Sequence, residues 1–306
     1  MARIIYMGTP DYARRILEAV WHPQHEWLIV TKPDMPVGRR QILTPSSVAS
    51  WAQAQGLKVV KPRRLKDFEE TWRAFTPDWI LTAAYGRILP EWLLGLPRFG
   101  AYNLHASLLP RWRGANPIAW AIKSGDAETG VTLMAMDAGV DTGPIVAQAP
   151  VAILPTDTTG ALTERLADRA AELWKSMTEG KDPGVLAAKP QPDQGATLAP
   201  KFDRHAGHLD WADPATRLDA WIRSMTPEPG AYTMLYDQRI KILLAHADAK
   251  RVVGSPGTAR LDGDHWRVAA GDGSVVVRLI QPAGRRAMTP GDYVRGRRGE
   301  QEWALN

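Results

Sequence analysis

Three polar residues suited to hydrogen bonding or proton transfer lie in two short segments of the sequence. Asn103 and His105 are two residues apart in AYNLH, so the two-residue repeat of a β-strand points both side chains to one face of a sheet. Asp141 lies in MDAGVDTGP between Gly139 and Gly143, where small neighbours let the backbone approach a ligand closely. A carboxylate near an imidazole can orient the ring and exchange protons with a substrate. We therefore predict acid–base chemistry at Asp141 and His105, with Asn103 placed to act on the same atom as His105.

Taken singly, each of these residues also fits a structural role. A histidine at the end of a strand is commonly a hydrogen-bonded core residue, and an aspartate between glycines commonly makes a turn. Other chemistries are easier to exclude. The chain has no cysteine, which rules out disulfides, thiolate metal sites and a cysteine nucleophile. His205 and His208 lack acidic or histidine companions at helical spacing, so no metal site is predicted.

The elements that position these residues follow an alternating order of strands and helices, which favours a parallel sheet covered by helices. Ligands bind such sheets at the carboxyl ends of the strands, where the loop after His105 lies. The first helix is expected at Asp11–Val20, with Thr9 as its cap and Pro10 at its first position. Strands are expected at Arg3–Met7, Glu26–Thr31, Leu57–Lys61, Asp78–Ala84, Ala101–His105 and Gly130–Met136.

The length of 306 residues favours two domains. An amphipathic helix is predicted at Thr159–Thr178, and the segment after it is rich in proline and glycine, as linkers often are. Beyond it, short strand-like runs alternate with turns, which is typical of a small β-barrel. We therefore expect an α/β catalytic domain over 1–180, a linker over 181–202 and a β-barrel domain over 203–306.

The net charge is +5, and residues 201–306 hold 16 basic and 13 acidic residues. Two basic groups could contact phosphate, although each could equally be a solvated surface. One is the loop Pro33 to Pro45 with Arg39 and Arg40; the other comprises Arg285, Arg286, Arg295, Arg297 and Arg298. No run approaches the ~20 apolar residues of a membrane span, and MARIIYMGTP is strand-like, so a cytoplasmic location without a membrane is expected.

Longer motifs add a resemblance to a known family. NLHASLLPRWRG, followed by GVTLMAMDAGVDTGP, resembles the folate-dependent formyltransferases, whose signature is an Asn, a His and a later Asp around an SLLP loop. The resemblance implies a Rossmann-like formyltransferase domain with a mostly parallel sheet, followed by an OB-like β-barrel. It assigns catalysis to Asn103, His105 and Asp141. It assigns folate binding to Ser107, Leu108, Leu109 and Pro110, and to the backbone around Arg87, Ile88, Leu89 and Val140.

Further motifs, among them MGTPDYA, KPDMPVGRR, AYGRILP and QPAGRRAM, resemble the branch of that family that acts on initiator methionyl-tRNA. This implies 10-formyltetrahydrofolate as formyl donor, no metal, tRNA contacts from Arg39 and Arg40 and from the barrel domain, and a monomer. Arg40, Gln41 and Ile42 replace the glycine and lysines usual after Arg39, so this loop is less charged.

On this basis the amine attacks the formyl carbon directly. Asn103 and His105 are the expected donors to the resulting oxyanion, and Asp141 accepts the proton. Three alternatives remain open: a formyltransferase of an amino-sugar nucleotide, one of a glycinamide nucleotide, and a tRNA-binding protein without activity.

Overall fold

The computed structural model of the chain describes residues 1–38, 40–180, 182–203, 205–295 and 302–306. It divides into two compact units. The first comprises Met1–Pro117, Glu128–Ala152 and Thr163–Pro200, and the second comprises Ile118–Ala127, Ile153–Leu162 and Lys201–Asn306.

The first unit is built on a seven-stranded sheet in the order β10-β9-β7-β6-β1-β2-β5. The five strands from β7 to β5 in this order pair in parallel, whereas β9 is antiparallel to both β7 and β10. The sheet is thus mostly parallel, as predicted, and the antiparallel pairing is confined to the edge formed by β9 and β10. The strands up to residue 200 are β1 (Arg3–Gly8), β2 (Glu26–Val30), β3 (Met35–Val37), β4 (Ile42–Thr44), β5 (Lys58–Val60), β6 (Trp79–Ala83), β7 (Ala101–His105), β8 (Arg113–Gly114), β9 (Glu128–Ala135), β10 (Ile145–Ala152) and β11 (Leu198–Ala199). Of these, β3 with β4 and β8 with β11 form two separate two-stranded sheets.

Helices cover this sheet and bury its continuous apolar runs. The helices up to residue 178 are α1 (Asp11–Val20), α2 (Ser47–Ala54), α3 (Glu69–Phe75), α4 (Glu91–Leu94), α5 (Pro117–Lys123) and α6 (Thr159–Thr178), with a 3₁₀ turn at Leu65–Phe68. Ile5, Leu28 and Ile80 of adjacent strands are fully buried in one core cluster. The predicted cap of α1 is wrong: Pro10 is the N-cap residue, and the Thr9 hydroxyl is buried without a hydrogen-bond partner. A threonine can cap only from the residue adjoining the first helical turn, and Pro10 occupies that position.

The segment Pro33 to Pro45, expected to be an irregular loop, contains a short hairpin. β3 and β4 pair antiparallel from Met35 opposite Thr44 to Val37 opposite Ile42. Met35, Val37, Ile42 and Leu43 are all exposed. Prolines flanking the run masked its strand character, although Val37 and Ile42 are good strand formers.

The segment predicted as a linker packs onto the first unit over residues 182–200. Trp79 Nε1 donates to the Gly184 carbonyl, and the Leu186 amide donates to the Tyr102 hydroxyl. Farther along, β11 pairs in parallel with β8. The segment is rich in proline and glycine, and hydrogen bonds to neighbouring strands hold it in place.

The second unit is centred on a six-stranded antiparallel sheet in the order β12-β13-β16-β15-β14-β17. Met234 of β12 and Asn306 exchange two backbone hydrogen bonds of 2.7 and 3.0 Å, which link the two ends of the sheet in the manner of a barrel. The elements are β12 (Ala231–Leu235), β13 (Gln238–Asp248), β14 (Thr258–Asp262), β15 (His265–Ala269), β16 (Ser274–Pro282), β17 (Glu302–Ala304), α7 (Ala215–Met225) and α8 (Pro290–Val294).

The core of this unit is a cluster that includes Leu218 and Ile222 of α7 and Trp266 of β15. The fold-class prediction is thus confirmed: a mostly parallel α/β sheet is followed by an antiparallel barrel-type sheet. The exact domain boundaries stay a prediction.

Candidate active site

Strand β7 supplies two residues of the predicted trio. Asn103 lies opposite Thr82 of β6, and the Thr82 hydroxyl donates to Asn103 Oδ1 at 2.8 Å. Asn103 Nδ2 donates to Asp141 Oδ1 at 3.4 Å. Since a carboxylate can only accept, the nitrogen of the amide must face Asp141 and the oxygen must face Thr82. The contact with Asp141 therefore sets the orientation of the Asn103 amide, and the Thr82 hydroxyl donates to the amide oxygen that this orientation presents.

His105 is 6% exposed and has an acceptor at each ring nitrogen. Nε2 lies 2.9 Å from the Trp112 carbonyl oxygen, so Nε2 must carry a hydrogen and donate it. Nδ1 lies 3.5 Å from Asp141 Oδ2. Nδ1 is therefore the nitrogen placed to exchange a proton with the carboxylate, while Trp112 sets the plane of the ring.

Asp141 lies in the loop between β9 and β10 and contacts both other residues of the trio, Asn103 and His105. Its Oδ2 also accepts a hydrogen bond of 2.9 Å from the Gly114 amide. Asp141 has a φ of +54°, in the left-handed region that aspartate tolerates better than most residues. Gly143 must lack a side chain, because a Cβ there would overlap the Ala135 carbonyl oxygen. The structure thus brings together all three residues predicted to be catalytic.

The loop after His105 is fixed by buried polar groups. Ser107 is fully buried, and its hydroxyl donates to the Arg111 carbonyl at 2.6 Å. The Thr132 hydroxyl donates to the Ser107 carbonyl and accepts from the Leu109 amide. Leu109 is also buried, whereas Leu108 and Pro110 are half-exposed. The side chains that this loop can offer a ligand are therefore Leu108 and Pro110, while Ser107 and Leu109 shape it.

The loop after β6 lies at the carboxyl end of the strand beside β7. Arg87 donates through Nη1 to the Pro62 and Arg63 carbonyls, at 3.0 and 2.9 Å. Its guanidinium therefore links this loop to the segment after β5. Leu89 is buried, but Ile88 is 67% exposed. Val140, beside Asp141, is 55% exposed. Exposed apolar side chains thus lie on the loop after β6 and next to Asp141 on the loop after β9.

Arg40, predicted to contact tRNA, is exposed near the tip of the β3–β4 hairpin. Arg39 lies outside the described residues, as do Arg297 and Arg298 of the second basic group. Arg285 and Arg286 are exposed, and Arg295 pairs with Asp292 at 2.9 Å.

Local sequence patterns carry no signal for three groups that support the trio. Thr82 lies inside the predicted strand Asp78–Ala84, the Trp112 carbonyl is a backbone group, and Gln191 lies in the predicted linker. Gln191 donates to the carbonyls of Asp141 and Gly143. Tyr12 of α1 lies beneath β7 and donates to the Leu104 carbonyl at 3.4 Å. Burial raises the pKa of the Tyr12 phenol well above its ordinary value, which keeps this donor protonated.

The described residues contain no group of three or more His, Cys, Asp or Glu side chains that could hold a metal ion. They also contain no helix long and apolar enough to cross a membrane.

The fold and the trio can be compared with known proteins. The profile named "Formyl transferase" matches residues 2–178, and "Formyl transferase, C-terminal domain" matches residues 201–298. A solved structure of an N-formyltransferase from Helicobacter canadensis, in complex with folinic acid and dTDP-3-aminofucose, has a TM-score of 0.67 at 19% identity. The alignment covers 90% of this chain and 99% of that one. At this identity the match concerns the fold alone. From the two profiles, this chain belongs to the formyl transferase family.

Within the family, the chain is similar to methionyl-tRNA formyltransferases over almost its full length. It is 42% identical to that of Myxococcus xanthus over 297 residues, or 96% of this chain and 95% of the relative. It is also 42% identical to that of Halorhodospira halophila over 300 residues, or 97% of each chain.

Proposed function

We propose that this protein transfers the formyl group of 10-formyltetrahydrofolate to the α-amino group of initiator methionyl-tRNA. The observation that carries the proposal is the convergence of an amide, an imidazole and a carboxylate at Asn103, His105 and Asp141. Full-length similarity to methionyl-tRNA formyltransferases supports the choice of acceptor.

The reaction begins with a neutral amine. The α-ammonium of the aminoacyl ester loses a proton to the Asp141–His105 pair, and the amine then attacks the formyl carbon. The C–N bond forms as the carbonyl π electrons move to oxygen, which gives a tetrahedral oxyanion. Collapse of this intermediate breaks the bond to N10 of the folate, and N10 takes up the second proton, which the attacking nitrogen loses as the neutral amide forms. No covalent enzyme intermediate forms.

Asn103 is the donor proposed for the oxyanion. Its amide nitrogen carries two hydrogens, and the contact with Asp141 uses at most one of them. One donor of this kind typically contributes roughly 3–4 kcal/mol to the transition state. His105 was predicted as a second donor, and this stays a prediction, since its Nε2–H here donates to the Trp112 carbonyl. Its contact with Asp141 suits it to share the proton taken from the ammonium.

The folate is proposed to lie against the loops that flank the trio. Ile88 and Val140 offer exposed apolar surface, and Leu108 and Pro110 are half-exposed on the loop after β7. Burial of this apolar surface against the flat pterin ring favours binding. The polar edge of the ring requires hydrogen bonds from the backbone groups of these loops. Bound there, the donor supplies an activated formyl group to the site.

The tRNA is proposed to contact basic side chains outside the trio. Arg39 and Arg40 are the proposed contacts in the first domain, and the basic groups of residues 203–306 are those in the second. Phosphate contacts of this kind supply affinity that depends strongly on salt.

The test is formyl transfer by the purified protein from radiolabelled 10-formyltetrahydrofolate to three acceptors: methionyl-tRNA, an amino-sugar nucleotide and uncharged tRNA. We expect transfer to methionyl-tRNA alone. Transfer to the amino-sugar nucleotide alone would show that the protein is a formyltransferase of amino-sugar nucleotides instead. Binding of tRNA without any transfer would favour a binding module.

A further inference from the structure

Gln191 lies in the segment 182–200, between two points at which that segment is fixed to strands. Before it, Lys189 and Ile145 exchange two backbone hydrogen bonds of 2.7 and 2.8 Å. After it, the Thr197 carbonyl accepts from the Arg113 amide at 2.9 Å, where β11 begins to pair with β8. The backbone that carries Gln191 is therefore held on both sides.

The Gln191 side chain uses both ends of its amide. Nε2 donates to the Asp141 carbonyl at 3.0 Å and to the Gly143 carbonyl at 2.7 Å. Oε1 accepts from Arg113 Nε and Nη2 at 3.1 and 2.7 Å. A primary amide has two N–H groups and one oxygen with two lone pairs, so this arrangement fills its hydrogen-bonding capacity.

These hydrogen bonds belong to a closed series of contacts that starts at the Asp141 carbonyl and returns to the Asp141 carboxylate. Arg113 is followed by Gly114, whose amide donates to Asp141 Oδ2 at 2.9 Å. The Asp141 side chain is thus held by Gly114, and its backbone carbonyl is held by Gln191. Gly114 suits this role because it has a φ of +118° and a Cβ there would lie 2.9 Å from the Ala199 carbonyl oxygen.

Asp141 needs such support because of its backbone conformation. Its φ of +54° lies in the left-handed region, which is less favourable than the right-handed one for a residue with a side chain. A return to the ordinary region would redirect the Cα–Cβ bond and move the carboxylate away from His105 Nδ1. Hydrogen bonds to the carbonyls of Asp141 and Gly143 favour the observed conformation.

We propose that Gln191, held by Arg113, is a positioning residue that keeps the Asp141 carboxylate in place for proton transfer. This inference rests on the proposed function. Through Gln191, the proline-rich segment 182–200 contributes to the reaction by positioning the proton acceptor Asp141 and not by contacting a substrate.

Gln191→Met tests this proposal, since methionine has a similar length and cannot form these bonds. We expect kcat for formyl transfer to fall roughly 10- to 100-fold, the effect of misplacing a catalytic group by about 1 Å, with KM for both substrates and Tm near wild type. The matched control is Gln194→Met, the same change at an exposed position of the segment, which we expect to leave kcat unchanged.

A double-mutant cycle separates positioning from a general structural effect. If Gln191 acts through Asp141, Gln191→Met will cause no further loss in an Asp141→Asn background. A wild-type kcat for Gln191→Met, or a full loss in both backgrounds, would overturn the proposal. Should Gln191→Met not fold, Arg113→Lys is used in the same cycle, because it keeps the charge and loses the two-point contact. Failure of the wild-type protein to formylate methionyl-tRNA would instead count against the proposed function.

Discussion

Replacement of Thr82 by valine removes one hydroxyl beneath the site and leaves the shape of the side chain nearly unchanged. Thr82 is 2% exposed, and its hydroxyl donates to Asn103 Oδ1 at 2.8 Å. In the variant, Asn103 Oδ1 loses this donor, and only the 3.4 Å contact with Asp141 still selects the orientation of the amide. An Asn103 side chain that turns over presents its oxygen to the oxyanion and repels it.

The size of the effect follows from the energy of one hydrogen bond. Its net contribution is about 0.5–1.5 kcal/mol, and 1.4 kcal/mol corresponds to a factor of ten. We therefore expect kcat for formyl transfer to fall roughly 2- to 12-fold. The loss must stay below that of Asn103→Ala, which removes the donor itself and is expected to cost roughly 10²- to 10³-fold. KM for both substrates should not change, since Thr82 is buried.

The assay is steady-state formyl transfer to methionyl-tRNA with Thr82→Val and Thr82→Ser in parallel. Serine keeps the hydroxyl and loses the methyl group, so we expect Thr82→Ser to retain most of the wild-type kcat. Equal losses in the two variants would show that packing is responsible. A Thr82→Val enzyme with wild-type kcat would refute the idea that Thr82 orients the Asn103 amide.

Two further predictions concern other parts of the chain. Arg39→Ala with Arg40→Ala should raise the apparent KM for methionyl-tRNA and reduce the slope of log affinity against log salt by about 1–2, since each phosphate contact contributes about 0.9; an unchanged slope would exclude both residues from the tRNA interface. His25 Nδ1 accepts a hydrogen bond from the Ala2 amide, and burial, together with the N-terminal ammonium, lowers the pKa of His25 from its ordinary value of 6.5. The unfolded chain therefore binds the proton more readily, and the free energy of unfolding should fall as pH drops below about 6.5. His25→Asn should weaken this dependence in urea unfolding at pH 5 and 7.5, and an unchanged dependence would contradict the assignment.

Local patterns in the sequence were enough to predict the main elements of the first unit. The strand Ala101–His105 and the helix Thr159–Thr178 match their predicted bounds, because strand alternation and an amphipathic repeat are local properties. Local sequence patterns do not determine the direction of β9 in the sheet. This direction depends on the path of the chain from β7 through α5 to β9, and β10 itself was not predicted.

The candidate site likewise contains residues that could be predicted from the sequence and residues that could not. Asn103, His105 and Asp141 were found because their residue types and spacing indicate chemistry. Thr82 and Gln191 were missed because their roles depend on partners distant in the chain, Asn103 for one and Asp141 for the other. A threonine in an apolar strand and a glutamine among prolines carry no signal of such contacts.

The most direct test of the central claim is the rate of a single turnover with saturating protein, comparing wild type with Asp141→Asn and Asn103→Ala. The substrates are 10-formyltetrahydrofolate and methionyl-tRNA. We predict formylation by the wild type and rates reduced roughly 10²- to 10⁴-fold by Asp141→Asn and 10²- to 10³-fold by Asn103→Ala, with both variants folded. A rate near wild type in either variant would contradict the role given to that residue, and no formylation by the wild type would contradict the function.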